Sequence, residues 1–298
     1  MKIGFIGLGR MGSRMAERLL KKRHKLVLYA RDQKSLKPFE KKGAVATKSY
    51  AEFAEKLGNH KIIFIMVPQG RAVNDVIKKL FPFLFRGDII IDGGNSFYKD
   101  SMSRAKKLAK KGVSFLDVGI SGGLDGAKKG ASIMVGGKKS AFKKTERLFK
   151  DLAVKNGYAW VGESGAGHFV KMIHNGIEYS LLQSYAEGYA LLEKSRFNID
   201  LLEVTRVYMN GSVIRSWLIN LLALALKKDP KLKSQTGIIG GGTTGKWALN
   251  AAKEYKFKMP MLKYALIARK RSHKNQDFSS KVVSALRLEF GGHLPPKK

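Results

Sequence analysis

The 298-residue sequence predicts an α/β, doubly wound domain over residues 1–163 and an all-α domain over 164–298. Three observations predict this. A strand pattern, KIGFIG, opens the chain and runs directly into a glycine-rich turn and a helical pattern. Short apolar runs then alternate with helical stretches to about residue 162. Beyond about 164 the strand pattern stops and only helical periodicity remains.

The elements follow in order. KIGFIGLGRMG (2–12) holds Gly7, Gly9 and Gly12 as G-x-G-x-x-G between a strand and the helix MGSRMAERLLKK. Gly7 permits the tight turn, Gly9 lets a backbone approach a pyrophosphate, and Gly12 lets helix and strand pack closely. A pyrophosphate there would rest on a helix N-terminus. This context makes the domain Rossmann-type and dinucleotide-binding, with Leu8 and Met11 inside the turn as further cofactor neighbours. The second strand, KLVLYA (25–30), ends at Ala30 and Arg31, where an NAD enzyme usually places an acid on the ribose 2′-hydroxyl. Arg31 suits the 2′-phosphate of NADP, and Asp32 just beyond it leaves NAD possible.

IIFIMV (62–67) is a strand ending at Val67 and Pro68, a helix covers 71–81, and DIIIDGGNS (88–96) is a strand ending in a turn. A helix over 101–112 leads to VSFLDVGISGG (113–123), a strand ending in a glycine loop. SIMVGG (132–137), a helix from about 140 and YAWVG (158–162) complete this half. Ligands on such sheets bind past the carboxyl ends of the strands. The turns VPQG, DGGNS and GISGG therefore point Val67, Asn95, Ser121, Gly122 and Gly123 at a site, with Val67 and Asn95 also expected to bind the cofactor. In the second half a long helix of roughly eight turns is expected through KMIHNGIEYS and LLQSYAEGYALLEKS, followed by helices at about 199–210, 213–227, 245–255, 260–272 and 280–289. WLINLLALAL (217–226) is too short to span a membrane and reads as a buried helix.

Composition narrows the function. With no cysteine, disulfides, thiolate catalysis and cysteine–zinc sites are excluded. The chain enters directly into a strand pattern, so no signal peptide is expected, and the reading is a cytoplasmic protein. Lys and Arg number 57 against 23 Asp and Glu, a formal charge of +34. That charge favours polyanions. The basic residues are spread as pairs along ordinary helices, with no basic tail and no aromatic–basic signature. Specific nucleic-acid binding is therefore not expected, and an acidic, phosphorylated small substrate fits the same charge.

The stretch KMIHNGIEYS (171–180) carries Lys171, His174, Asn175 and Glu178 at i, i+3, i+4 and i+7. On a helix that spacing places a base, an imidazole, an amide and an acid along one face. Charged stripes are usually only solvated. Here the stripe opens the first helix after the cofactor domain, behind the glycine-rich GESGAGHF.

GFIGLGRMG, IDGGNS, the SGG of GISGG, GAGHFVKMIHNGIEY, TGKW and the terminal RLEFGGH together resemble 6-phosphogluconate dehydrogenase (decarboxylating) in its shorter form, over nearly the whole chain. The resemblance implies oxidation of 6-phosphogluconate at C3 by NADP, loss of CO2, and protonation to ribulose 5-phosphate, without a metal. It implies Lys171 as the general base and Glu178 as the general acid. Such a base must be neutral, which requires burial or nearby positive charge. Asn95, Ser121, Gly122, Gly123, His174 and Asn175 would hold the carboxylate end and hydroxyls. Tyr179, Thr244, Arg269, Arg287 and His293 would hold the phosphate. A homodimer is the family's expectation, and in its longer members the tail reaches the partner subunit. One departure stands out. The longer members carry a lysine just before G-T-G-K-W, where this chain has Gly242 and then Thr243. Two other readings stay open on the residues alone. One is a β-hydroxyacid dehydrogenase for a small unphosphorylated acid, which lacks the His…Glu combination. The other is a non-catalytic nucleic-acid-binding protein that reuses the fold.

Overall fold

The computed structural model describes residues 1–293. It forms two compact units, one up to Lys171 and one from Met172 onward. The first unit contains β1 (Lys2–Ile6), α1 (Arg10–Lys21), β2 (Lys25–Tyr29), α2 (Lys37–Glu40), β3 (Val45–Ala46), α3 (Tyr50–Leu57), β4 (Ile62–Ile65), α4 (Arg71–Leu80), β5 (Ile89–Asp92), α5 (Tyr98–Ala109), β6 (Ser114–Ser121), α6 (Gly123–Lys129), β7 (Ala131–Gly137), α7 (Lys139–Leu152) and β8 (Ala153–Gly162). The helix α8 (Ala166–Lys194) runs through the division between the units.

The eight strands form one sheet in the order β3-β2-β1-β4-β5-β6-β7-β8. All pairs are parallel except β6 with β7. Parallel strands need both faces covered, and the sequence alternation supplies two apolar faces. Ile3, Phe5, Leu26, Leu28, Phe64, Ile91 and Leu116 meet apolar residues of α1 and α7. Val27, Ile63, Ile65, Ile90 and Phe115 meet those of α3 and α4. The order reverses at β1, whose neighbours are β2 and β4. That is the switch point at which an open α/β sheet leaves a crevice beyond its strand ends.

The second unit is helical: α9 (Leu201–Met209), α10 (Trp217–Lys228), α11 (Thr243–Glu254), α12 (Pro260–Arg271) and α13 (Phe278–Gly291) join the body of α8. Its core gathers Leu182, Ala186 and Tyr189 of α8 with Ile219, Leu222 and Leu226 of α10 and Val282, Val283 and Leu286 of α13. No described helix is long and apolar enough to cross a membrane.

Some elements differ from the sequence expectation. α3 was not expected, although Ser49 and Glu52 form a capping signature: the Ser49 hydroxyl accepts from the Glu52 N–H at 3.1 Å, and the Glu52 carboxylate from the Lys48 N–H at 2.8 Å. β3 is too short to show a period, and α6 lies in what reads as a glycine loop. The expected buried helix at 217–226 is buried along one side only; Trp217 and Leu224 are 48% and 49% exposed. Its Leu and Ala run conceals an ordinary amphipathic helix.

Phe64 stacks on Phe5 with centroids 5.3 Å apart, both fully buried at the centre of the sheet. Phe64→Ala is expected to cost about 3–5 kcal/mol of stability, read as a lower midpoint in urea unfolding.

Candidate active site

The turn after β1 is shaped by contact. Gly7 has φ of +98°, and a Cβ there would strike the Met66 carbonyl just past β4. It would also lie 3.1 Å from a Val67 methyl, so Gly7 and Val67 line the switch point together. A Cβ on Gly12 would run into the Gly7 carbonyl. Gly9 is different. Its φ is −68°, and a Cβ there would meet nothing within 4 Å. Neither backbone nor packing demands glycine at 9, so the open space over it suits a ligand. Gly9 is also the N-cap of α1, with no side-chain cap. A glycine turn, an uncapped helix N-terminus and open space fit a dinucleotide pyrophosphate. Leu8 and Met11 are partly buried against the core beside this turn.

Beyond β2, Arg31 is exposed. Burial pushes the Tyr50 phenol up to about 12, and the nearby Arg31 charge opposes that rise. Asp32 caps the next turn, accepting from the Lys34 N–H at 3.0 Å.

The IDGGNS loop is organised by Asp92, a fully buried carboxylate that sequence reasoning passed over. It accepts from the Gly94 N–H at 3.0 Å, the Ser96 hydroxyl at 2.8 Å and Arg104 at 3.3 Å. Arg104, itself buried, donates further to Asn74 at 2.8 Å and to the Gly70 carbonyl at 3.2 Å. These bonds tie the VPQG and DGGNS turns into one rigid unit, with Asn95 exposed at its tip.

The start of α8 is held by Asp117, also fully buried and also missed. Its two oxygens accept from the N–H groups of Gly165 at 2.7 Å and His168 at 2.9 Å. Room for the carboxylate exists because Gly136, its partner on β7, has no side chain. A Cβ on Gly167 would collide with the Asp117 carbonyl, and one on Gly119 with Cβ of Lys171. Alternate residues of a strand share a face, so Asp117, Gly119 and Ser121 look the same way. Asp117 caps the helix, Gly119 seats Lys171, and Ser121 follows at the strand end. Gly122 and Gly123, both at positive φ, then turn the chain into α6. His168 is buried and bonded through Nδ1 to Ser101 at 2.7 Å, which joins α8 to α5.

In the second unit, α8 carries the remaining stripe. The His174 ring nitrogen Nδ1 lies 3.2 Å from Asn175 Oδ1 and 3.9 Å from a Glu178 oxygen. Asn175 is buried and donates to Thr244 at 3.4 Å; Tyr179 shares a 3.0 Å hydrogen bond with the same hydroxyl. The Arg269 guanidinium lies 3.9 Å from the centre of the Tyr179 ring and donates to the Gly240 carbonyl at 2.8 Å. Its Nε is buried without a hydrogen-bond partner. Arg287 approaches the same glycine turn: a Cβ on Gly241 would lie 3.6 Å from a nitrogen of each guanidinium. Burial lowers Arg269 to about 10, with the Arg287 charge adding to the shift and Tyr179 and Glu178 opposing it. Burial likewise lowers Arg287. Arg269 remains a cation at neutral pH. A buried guanidinium, a half-buried one, an aromatic hydroxyl and a threonine at the N-terminus of α11 lie together, an arrangement suited to an anion.

Residues 2–162 match the NAD binding domain of 6-phosphogluconate dehydrogenase, and residues 167–287 match the C-terminal domain of the same enzyme. The chain belongs to the 6-phosphogluconate dehydrogenase family. The family relative YqeC of Bacillus subtilis is 43% identical over 298 residues, covering all of both chains. The NAD(+)-dependent, decarboxylating 6-phosphogluconate dehydrogenase of Haloferax volcanii is 37% identical over 300 residues, with 100% of this chain and 99% of that one covered. Among solved structures, the Plasmodium falciparum 6-phosphogluconate dehydrogenase, studied with NADP+ and with 6-phosphogluconate, superposes with a TM-score of 0.83 at 31% identity. That alignment covers 91% of this chain and 62% of the longer Plasmodium chain.

Family membership gives the departure at Gly242 a physical setting. Gly242 has φ of +111° and forms the N-cap of α11. A lysine at this position would be strained in the left-handed region, and its Cβ would lie 3.4 Å from Arg269. His293 of the family tail is exposed and packs edge-on to Phe290.

Asp117→Ala leaves the first N–H groups of α8 without their acceptor. Each lost bond to a charged acceptor is worth about 1.5–3 kcal/mol. The expected result is much faster amide exchange at Gly165 and His168, with the rest of the sheet still protected.

Proposed function

We propose that the protein catalyses the oxidative decarboxylation of 6-phosphogluconate to ribulose 5-phosphate and CO2, with NADP as the preferred acceptor and NAD as the alternative. The observation that carries this reading is the run of α8 from Lys171 to Tyr179. It leads from a general-base candidate, through His174, Asn175 and Glu178, to an anion site built from Tyr179, Thr244, Arg269 and Arg287. Seven residues of helix cover about 10 Å, so Lys171 and Glu178 can serve different carbons of one sugar acid.

Gly7, Gly9, Gly12 and Val67 would hold the dinucleotide, with Leu8 and Met11 beside it and Arg31 on a 2′-phosphate. When bound, it supplies the hydride acceptor. Lys171, acting in its neutral form, takes the C3 hydroxyl proton as hydride departs from that carbon. The resulting ammonium hydrogen-bonds the new keto oxygen and stabilises the negative charge that CO2 leaves behind. Glu178 then gives a proton to the carbon that becomes C1 of the product. Asn95, Ser121, Gly122 and Gly123 would receive the carboxylate end, and His174 and Asn175 the hydroxyls. The phosphate would sit on the two guanidiniums, beside the N–H groups of α11. A small unphosphorylated acid gives no use for that pair of cations, one buried and one half-buried, which favours the phosphorylated substrate.

The test is nicotinamide reduction measured together with CO2 release, using 6-phosphogluconate and either NADP or NAD. Matched reduction and CO2 are expected, and Lys171→Met should lower turnover by at least about a thousandfold while remaining folded, in the range typical for a lost acid–base group. Reduction with small 3-hydroxy acids but none with 6-phosphogluconate overturns the reading. Arg31→Ala is expected to raise KM for NADP about tenfold or more and leave NAD nearly unchanged, as loss of one phosphate contact predicts. An equal loss for both cofactors removes Arg31 from this role.

A further inference from the structure

We propose that Ser101 and His168 are positioning residues, whose buried hydrogen bond makes α5 a rigid bracket between the Asn95 turn and Lys171. The proposal rests on the reaction set out above and adds to it the means by which the first unit keeps these two groups in register.

Asn95 and Lys171 are held by separate carboxylates. Asp92 fixes the turn that carries Asn95, through Gly94 and Ser96. Asp117 fixes the opening of α8, through Gly165 and His168. The two acids are register partners on β5 and β6, and both are fully buried. Each accepts from its own segment, and none of these four bonds joins the turn to α8. The helix that crosses between the two strands is α5, and it grips both segments. Arg104 of α5 bonds Asp92 at 3.3 Å, which ties the helix to the turn. Three residues earlier, the fully buried Ser101 meets Nδ1 of His168 at 2.7 Å. Tyr98 lies edge-on to Phe169 with centroids 5.1 Å apart, and a Cβ on Gly165 would lie 2.7 Å from Met102. One 12-residue helix therefore links the Asn95 turn to the first turn of α8.

The hydrogen bond is the part of this contact that sets an angle. A methionine chain adapts to a shifted neighbour, whereas a hydrogen bond weakens steeply off its axis. His168 is 1% exposed, and its Nε2 has no hydrogen-bond partner among the described residues. A buried ring nitrogen without a partner costs stability, and an apolar side chain of like volume would avoid that cost. A polar ring kept there at such a cost points to a demand for geometry. Lys171 follows His168 by three residues, so both lie on one side of α8. A twist of α8 at His168 would carry Lys171 with it. A shift of about 1 Å at a reacting atom costs on the order of a hundredfold in rate.

Steady-state kinetics with 6-phosphogluconate and NADP test this. Turnover is expressed per NADP-binding site counted by calorimetry, so that misfolded molecules drop out of the comparison. Ser101→Ala is expected to lower turnover per site about ten- to a hundredfold, with KM for both substrates within about threefold of wild type. His168→Asn and His168→Gln form a control pair. Asn carries its amide nitrogen near the place of Nδ1, and Gln near that of Nε2. Asn should therefore keep the bond to Ser101 and recover most of the loss that Gln shows. The double variant Ser101→Ala/His168→Gln should fall no further than the worse single one, because both remove the same bond. Unchanged turnover per site in Ser101→Ala, equal losses in the Asn and Gln variants, or a loss confined to KM overturns the proposal. If Ser101→Ala does not bind NADP, the His168 pair decides. Failure of the reaction itself is seen in the wild-type protein, which would then reduce nicotinamide only with a small 3-hydroxy acid. The same variants are compared on that substrate, and the same outcomes decide.

Discussion

The buried carboxylate of Asp117 is the constraint on which the first unit's chemistry depends. Burying a charge is costly unless it is paired or fully hydrogen-bonded. Here two N–H groups at the opening of α8 meet it, and the positive end of a 29-residue helix lies over it. The geometry leaves no room for other side chains. Gly136 must be bare for the carboxylate, Gly167 for the helix to approach β6, and Gly119 for Lys171 to lie on the strand. Three glycines far apart in sequence thus follow from one capping interaction. The lysine proposed as base owes its position to that cap.

Glycine plays two distinct parts at the two proposed anion sites. At Gly7 and Gly242 it is needed for positive φ. At Gly9 the backbone is ordinary and nothing in the protein fills the space. Each site ends in a helix N-terminus without a side-chain cap, at α1 and at α11. A side-chain cap would satisfy the same N–H groups that a phosphate needs.

Much of this was legible in the sequence, for physical reasons. The parallel strands are buried on both faces, so they read as continuous apolar runs, and the turn glycines sit at fixed offsets from them. The stripe on α8 follows from helical spacing alone. Asp92, Arg104 and Asp117 were not legible, because a buried ion looks like any other charged residue until its partners are known. Apart from Gly94 and Ser96, which lie 2 and 4 residues from Asp92, the partners named above lie 12 to 51 residues away in the chain. A signal for Asp117 does exist: it is a charge inside FLDVGIS, a run otherwise fit for a buried strand. α3 had a capping signature that its short length hid. For Trp217 and Leu224, an apolar run interrupted only by Asn220 concealed an amphipathic face.

The high charge divides into two populations with different effects. The lysine pairs at 21–22, 41–42, 78–79, 106–107, 128–129, 138–139, 143–144 and 227–228 are all exposed. Their field extends only about 8–10 Å at ordinary salt and draws any anion toward the surface. Such a field cannot tell a sugar phosphate from a nucleotide. Arg269 and Arg287 are few and largely desolvated, and they are fixed on a glycine turn beside Tyr179. A planar guanidinium held in place selects by geometry as well as by charge, which a solvated ammonium does not. In the proposed reaction, choice of substrate would therefore rest on the buried Arg269 and the half-buried Arg287. The surface lysines act on the rate at which anions arrive.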